Sequence, residues 1–377
     1  MTDPLDAPLA GPNLPPGRRR ALHMLASLPL AAGAGAPRLP GPGVGLHRLP
    51  GPSGTANPFP HGATFLVGGP AGGPLHRWAR TVAPVLAQGL PPETRIGLTS
   101  IGGGDGVTAA NRFAAGAAPD GRTLLFGPGA AMLAWLIGEG RAKFDVGSWV
   151  PVLAAATPAA LVGRISVARL RAGATIRMAV DHLPGPDLAG LLALSLLGGL
   201  PVPVPGLSPQ AAEAALAQGR IDVLLVSGAG AAARVHRLLR RGAHALASFG
   251  IAGPDGALHR DPAFPSLAQV GEVYARAHGH PPAGPLFEAW RATASVARLV
   301  FAVDLPPLTP AAMVALWRGA ANAAAGQAAL AASLAAEGAR ALSGPEVLAC
   351  ARSIAVGVPA LLALRRWLSA RHGWLPG

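Results

Sequence analysis

The spacing of hydrophobic positions changes repeatedly along this chain, and each change marks an element. ATFLVGG (63–69) is an unbroken apolar run of strand length. In PLHRWARTVAPVLAQGL (74–90), Leu75, Trp78, Ala79, Val82, Val85 and Leu86 recur at helical spacing, so a glycine-rich turn at 68–74 joins a buried strand to an amphipathic helix. The order then repeats. ETRIGLTSI (93–101) predicts a second strand, and a glycine cluster leads into the small-residue helix VTAANRFAAG. A Pro119-Asp120-Gly121 turn opens the third strand, GRTLLFG (121–127). Strand, glycine turn and helix in succession predict a parallel sheet with helices on its faces.

WVPVLAAATPAALVGR (149–164) carries the chain out of this first group into a smaller α/β set. That set comprises ATIRMAVDH (174–182), an apolar helix at 187–198, the strand-like PVPVPG (201–206), the helix SPQAAEAALAQG, the strand RIDVLLVSG (220–228) and the helix AAARVHRLLRRG. HALASFGI (244–251) returns as a strand, and the stretches 309–338 and 344–373 are helical. One α/β lobe interrupted by another is a two-domain clamp, with lobe 1 expected at 61–160 plus 246–377 and lobe 2 at 161–245. Residues 37–60 are a Pro/Gly linker without a core pattern.

Residues 1–36 have another use. Three arginines (Arg18, Arg19, Arg20) precede an apolar segment that ends in small residues at Ala32-Gly33-Ala34 and Ala34-Gly35-Ala36, the layout of a cleaved export signal. Arg19-Arg20-Ala21-Leu22 resembles a twin-arginine signal, while the general secretory route needs only the basic start and apolar core. The segment is too short, and too interrupted by His23 and Pro29, to be a membrane anchor. A periplasmic product is expected.

Composition adds little to the fold and something to the ligand. Half of the 377 residues are hydrophobic, which places the chain among globular proteins, and 51 Gly with 40 Pro serve turns and linkers. The net charge of +13 falls to +12 without residues 1–36, which carry three arginines and two aspartates. That sign favours anions, but the arginines are scattered, aromatics make 5% of the chain and no nucleic-acid module occurs. A small anion drawn in by the field of the whole protein fits better than nucleic acid. Cys350 stands alone in the helical PEVLACARSIAV and reads as a small buried hydrophobe, not a nucleophile.

Six segments in order, VGGPAGGPLHRWAR, GGGDGVTAANRFAAGAAPDGRTLL, EAALAQGRIDVLLVSG, GAHALASFGI, DPAFPSLAQVGE and DLPPLTPAAMVALW, resemble the substrate-binding proteins of tripartite tricarboxylate transporters, the Bug-type family. The resemblance covers roughly residues 62–340. It implies a type II periplasmic binding fold, two α/β lobes of Venus-flytrap type closing on a small carboxylate that is passed to membrane transporter subunits. No cofactor, metal or catalysis is implied, and a monomer is expected. The resemblance places ligand-binding groups at Ala71, Gly72 and Gly73, at Gly103, Gly104, Asp105 and Gly106, and at Ser227 and Gly228, with the turn Pro184 to Pro186 as a further contributor. Glycine lets backbone N–H groups approach a ligand, and the helix that follows adds its positive end, so a carboxylate needs no lysine here.

Three positions depart from the family pattern. His76 stands where the family commonly has Asp, and reads either as a surface helix residue or as a cleft residue. Asp105 replaces a small neutral residue; it points to solvent, meets a cationic group of the ligand or, as favoured here, caps the following helix. Arg122 stands in place of an aromatic and reads as a solvated charge. Among rival classes, an enzyme lacks support: GGGDG does not have the G-x-G-x-x-G spacing, and neither a G-x-S-x-G elbow nor a P-loop occurs. His278-Gly279-His280 has no further spaced ligands for a metal. Asp255, His259 and Asp261 sit in a turn-rich loop with a simpler structural use. An extracytoplasmic sensor remains an alternative to transport.

Overall fold

In the computed structural model, which describes residues 57–375, two mixed sheets are covered by helices. The chain runs β1 (Ala63–Gly68), α1 (Pro74–Ala87), β2 (Ile96–Ile101), α2 (Val107–Gly116), β3 (Thr123–Gly127), α3 (Gly129–Ile137) and β4 (Val150–Ala156). It continues through β5 (Ala159–Gly163), α4 (Val167–Arg171), β6 (Thr175–Ala179), α5 (Leu188–Leu196), β7 (Leu200–Val204), α6 (Pro209–Ala217), β8 (Val223–Ser227), α7 (Ala231–Arg240) and β9 (His244–Ser248). A small hairpin, β10 (Ile251–Ala252) with β11 (Leu258–His259), precedes α8 (Val270–His278), α9 (Pro285–Arg298) and β12 (Leu299–Leu305). The described chain closes with α10 (Ala311–Ala325), α11 (Ala328–Ala336), β13 (Arg340–Leu342), α12 (Gly344–Ile354) and α13 (Val358–His372).

The first sheet has the order β13-β4-β12-β3-β1-β2, with β1, β2 and β3 parallel as the repeated strand-turn-helix pattern predicts. Alternation on its strands separates two cores. Phe65, Leu124, Phe126 and Phe301 face α1 and α10, where Phe126 and Phe301 stack at 4.7 Å, while Leu125 turns to the face of α2 and α3. The Pro-Asp-Gly turn is fixed by α10. Gly121 has φ +75°, a Cβ there would come within 2.9 Å of Met313, and the Trp317 indole N–H donates to the Gly121 carbonyl at 2.7 Å. Only glycine fits both demands. Arg122, expected to be solvated, is half-buried and donates to the Pro58 carbonyl at 3.2 Å.

The second sheet has the order β7-β6-β8-β5-β9, with α5 against one face and α6 and α7 against the other. Within EAALAQGRIDVLLVSG, Gly219 to Asp222 works as a unit: Arg177 forks onto Asp222 at 2.8 Å and onto the Gly219 carbonyl at 2.8 Å, tying β6 to the turn before β8. Hydrogen bonding to Arg177 holds the Asp222 carboxyl below its usual range, against a smaller opposing effect of burial. At one edge, β7 reads Leu200-Pro201-Val202-Pro203-Val204, and Leu200 N–H donates inward to Ala174. At the other, Gln269 bridges Ser248 and α8 packs on β9, so the second group of elements reaches past residue 245.

The two sheets are joined through a buried arginine. Arg298, at the end of α9, donates to the Thr157 carbonyl between β4 and β5 (2.8 Å), to the Gly250 carbonyl after β9, and to the Asp261 carboxylate (2.8 Å). Both passages of the chain from one sheet to the other therefore share one guanidinium. Its burial pushes its pKa down, yet a guanidinium stays charged at any ordinary pH. Asp261, read from sequence as a turn residue, is the counter-charge. Nearby, α9 packs on α3, α5, α12 and α13, with the Trp290 N–H donating to the Ala189 carbonyl at 3.2 Å. No single described helix is long and apolar enough to cross a membrane.

Candidate functional site

The loops after β1, β2 and β3 leave the sheet at one end and touch. A Cβ on Gly68 would lie 3.1 Å from Gly106 and 3.1 Å from Pro128, and one on Gly106, which has φ +74°, would lie 2.5 Å from Pro128. Gly106 is buried at this junction and caps α2, so its need for glycine is structural. Gly103, with φ +100°, and Gly104 stand out from it, exposed. Space around Gly104 is open. Among the described residues the N–H groups of Ala71, Gly103, Gly104 and Asp105 donate to nothing, and they lie on the neighbouring loops of two parallel strands. Such a row of free donors at two helix starts suits an anion.

His76 and Asp105 each hold one of the two turns. His76 Nδ1 accepts from the Gly72 N–H at 3.2 Å, and Arg77 donates to the Gly72 carbonyl at 2.8 Å. His76 thus holds the β1–α1 loop and uses up the Gly72 donor, while Gly73 N–H closes the turn on Pro70 at 3.0 Å. Of Ala71, Gly72 and Gly73, Ala71 alone keeps a free N–H. Asp105 is not the N-cap favoured from sequence, a place taken by Gly106, but stands one residue before it and folds an Asx-type turn: its Oδ1 accepts from the Val107 N–H at 3.1 Å and its Oδ2 meets Arg141 at 2.8 Å. The pairing raises the Arg141 pKa, chiefly through the hydrogen bond to Asp105. Both oxygens being engaged, the carboxylate charge is compensated within the protein. Asp105→Ala should lose a turn hydrogen bond worth about 1 kcal/mol, readable as a fall of about 2 °C in melting temperature. Asp105→Asn, which keeps an oxygen for Val107, should melt close to the parent; a fall equal to that of the alanine variant would show that the Arg141 pair, not the turn hydrogen bond, is what matters.

Ser227 and Gly228 lie at the end of β8. Ser227 accepts from Arg234 at 3.2 Å through its carbonyl, and Gly228 has φ +79°. Gly338, between α11 and β13, sits against the Gly228 carbonyl and the Gly230 N–H, so the loop 228–230 abuts the first sheet's helices there. No hydrogen bond among the described residues links Ser227 or Gly228 to Ala71–Gly73 or Gly103–Gly106. What the sequence did not single out lies beside Ser227: a cavity of about 520 Å³ between α6 and α7, bordered by Glu213, Arg234, Arg237 and Arg241. Burial pushes the Glu213 carboxyl up, but Arg234 at 2.8 Å and Arg237 at 3.1 Å outweigh it and hold it below the usual range. The i, i+3, i+7 spacing of Arg234, Arg237 and Arg241 on AAARVHRLLRRG was the available signal. The turn at Pro184 to Pro186 leads to Asp187, which accepts from the Asp181 N–H at 2.9 Å. His278 and His280 pack against Tyr274, with centroids at 4.2 and 5.7 Å.

No family model and no curated protein matches the sequence. Solved structures do. A TctC solute-binding protein from Polaromonas superposes with a TM-score of 0.60 at 18% identity, over 79% of this chain and 96% of that one. The fold is that of a TctC solute-binding protein. MatC from Rhodopseudomonas palustris, solved with bound malate, matches with a TM-score of 0.47 at 21% identity, over 80% of this chain and 98% of that one. The periplasmic binding protein BugD matches with a TM-score of 0.47 at 17% identity, over 82% and 97%. The TctC fold is the two-lobed α/β architecture expected from the sequence. In it, the glycine turns occupy the strand ends where open α/β sheets offer their ligand sites.

Proposed function

We propose that this chain is a substrate-binding protein of the tripartite tricarboxylate transporter class, which captures a small carboxylate between its lobes and delivers it to membrane subunits. The observation that carries the reading is the pair of glycine turns with unused N–H groups at the ends of β1 and β2, set in a TctC fold. Ala71, Gly103, Gly104 and the Asp105 N–H would receive the carboxylate; His76 and Gly106 would shape the turns. Ser227 and Gly228 would approach from the second lobe on closure. The Polaromonas protein whose fold this chain shares is a solute-binding protein. Export through residues 1–36, which lie outside the described residues, would place the protein in the periplasm.

Thermal unfolding against mono-, di- and tricarboxylates, amino acids and aromatic acids tests this directly. A ligand at about a hundred times its Kd adds roughly 2.7 kcal/mol, a shift of several degrees. A shift confined to one class of acid supports the reading and names the substrate to pursue; no shift with any of them, in folded and ligand-free protein, sinks it. Gly104→Leu locates the site. Because nothing lies within 4 Å of a Cβ at Gly104, the variant should keep its melting temperature while affinity for that acid falls about a hundredfold. Undiminished affinity would remove the glycine turn from the site.

A further inference from the structure

The first sheet contains another cavity, of about 180 Å³, that shares no residue with the glycine turns. It lies between β4 and β12 on one side and α12 on the other, with Met132, Trp149, Leu153, Val347 and Ile354 making much of a hydrocarbon wall. Asp304 of β12 lines it. This residue is 5% exposed, and its Oδ2 has no hydrogen-bond partner among the described residues. Native proteins rarely leave a buried carboxylate oxygen unpaired, because the desolvation cost goes uncompensated.

We propose that this cavity is a second small-molecule site, taking a compact apolar molecule that bears one primary amine and pairs its ammonium group with Asp304. Size supports this. An engineered cavity of about 150 Å³ in another protein holds benzene, so a benzylamine-sized molecule matches the space here. Chemistry supports it too: an ammonium is all donor and meets an acceptor that the protein leaves unused, while the hydrocarbon wall covers the rest. Water is a poor filling, since each buried molecule needs two to four polar partners and the wall offers few.

The charged surroundings do not compete. Cys350 and Arg352 of α12 also line the cavity. Burial pushes the Cys350 thiol up to about 11, so it stays neutral, and exposed Arg352 donates to the Pro254 carbonyl at 3.2 Å. Arg298 and Arg340 lie beyond Cys350, on a smaller neighbouring cavity. Desolvation moves the Asp304 carboxyl up to about 7, so its charge is available to a cation above neutrality and withdrawn below it.

The test is calorimetric titration of the full chain with benzylamine, benzyl alcohol and toluene at pH 6 and pH 8. Benzylamine should bind about tenfold more tightly at pH 8, following the ionised fraction of Asp304, and at pH 8 at least tenfold more tightly than benzyl alcohol or toluene. Asp304→Asn should abolish both differences. Ala351→Leu, which fills the cavity from α12, should prevent binding of all three while the response to carboxylates at the glycine turns is kept. Absence of benzylamine binding, equal affinity for the amine and the alcohol at pH 8, or binding untouched by Ala351→Leu would each overturn the site. Because these probes are amines and neutral molecules, a negative result leaves the carboxylate reading to its own experiment.

Discussion

Arg298→Met should lower the unfolding free energy by about 3–5 kcal/mol, measured by denaturant titration. Methionine keeps much of the hydrocarbon stem, so the loss isolates the guanidinium. Without it, the Asp261 carboxylate, 4% exposed, is left buried and unpaired, and the Thr157 and Gly250 carbonyls lose their donor. The penalty is the uncompensated charge more than the worth of the pair, so Arg298→Met with Asp261→Asn should recover part of the loss. A cost below about 1 kcal/mol for Arg298→Met would mean that water or backbone movement replaces the clamp and that the two chain passages do not depend on it.

The second large effect depends on pH. Asp304 has a folded pKa of about 7 against about 3.9 in an unfolded chain, so between those values the folded state holds a proton that the unfolded state has released. Stability from this group is therefore complete at low pH and falls as pH rises from about 4 to about 7, then levels off. The full span is about 4 kcal/mol. Asp304→Asn removes the titration, so the variant should gain on the parent by roughly 3–4 kcal/mol between pH 4 and pH 8. Parallel stability curves for the two proteins would show that the carboxyl is solvated or paired in solution.

Much of the fold was legible because its elements are periodic. The succession from β1 to β3 announces itself through an apolar run, a glycine turn and a helical stripe, and the second sheet's strands do the same. Of what escaped, α8 and α9 are amphipathic and were open to reading, whereas other elements had no period to read. In α3, GAAMLAWLI, seven of nine residues are buried, so no polar face marks it as a helix. β13 is three residues long, between runs that look continuously helical, and pairing with β4 alone makes it a strand. The helical stretches 309–338 and 344–373 each divide in two, at Gly326-Gln327 and at Ala355 to Gly357, where helix former follows helix former with only a short break.

The site divides along the same line. The engagement of Asp105 at the start of α2 is a local event, two residues from its partner, and sequence reasoning came within one position of it by naming Asp105 where Gly106 is the cap. His76 was left between two roles because its partner, the Gly72 N–H, is defined only once the loop has closed. The Arg298–Thr157 contact spans 141 residues, and the isolation of Asp304 is a property of a wall assembled from distant elements. Neither has a signature along the chain.

One edge of the second sheet bears on what this protein can join. Leu200, Val202 and Val204 turn their N–H groups toward β6, which leaves Pro201 and Pro203 at the outward positions, where neither can donate. An incoming strand would find carbonyls but no N–H groups opposite its own carbonyls, so every second rung of the new ladder would be missing. Association by continuous sheet extension is therefore closed on this side, although Leu200 and Val202 leave it apolar enough to attract a neighbour. Pro201→Thr with Pro203→Thr would restore the donors and, with them, the hazard of ordered self-association.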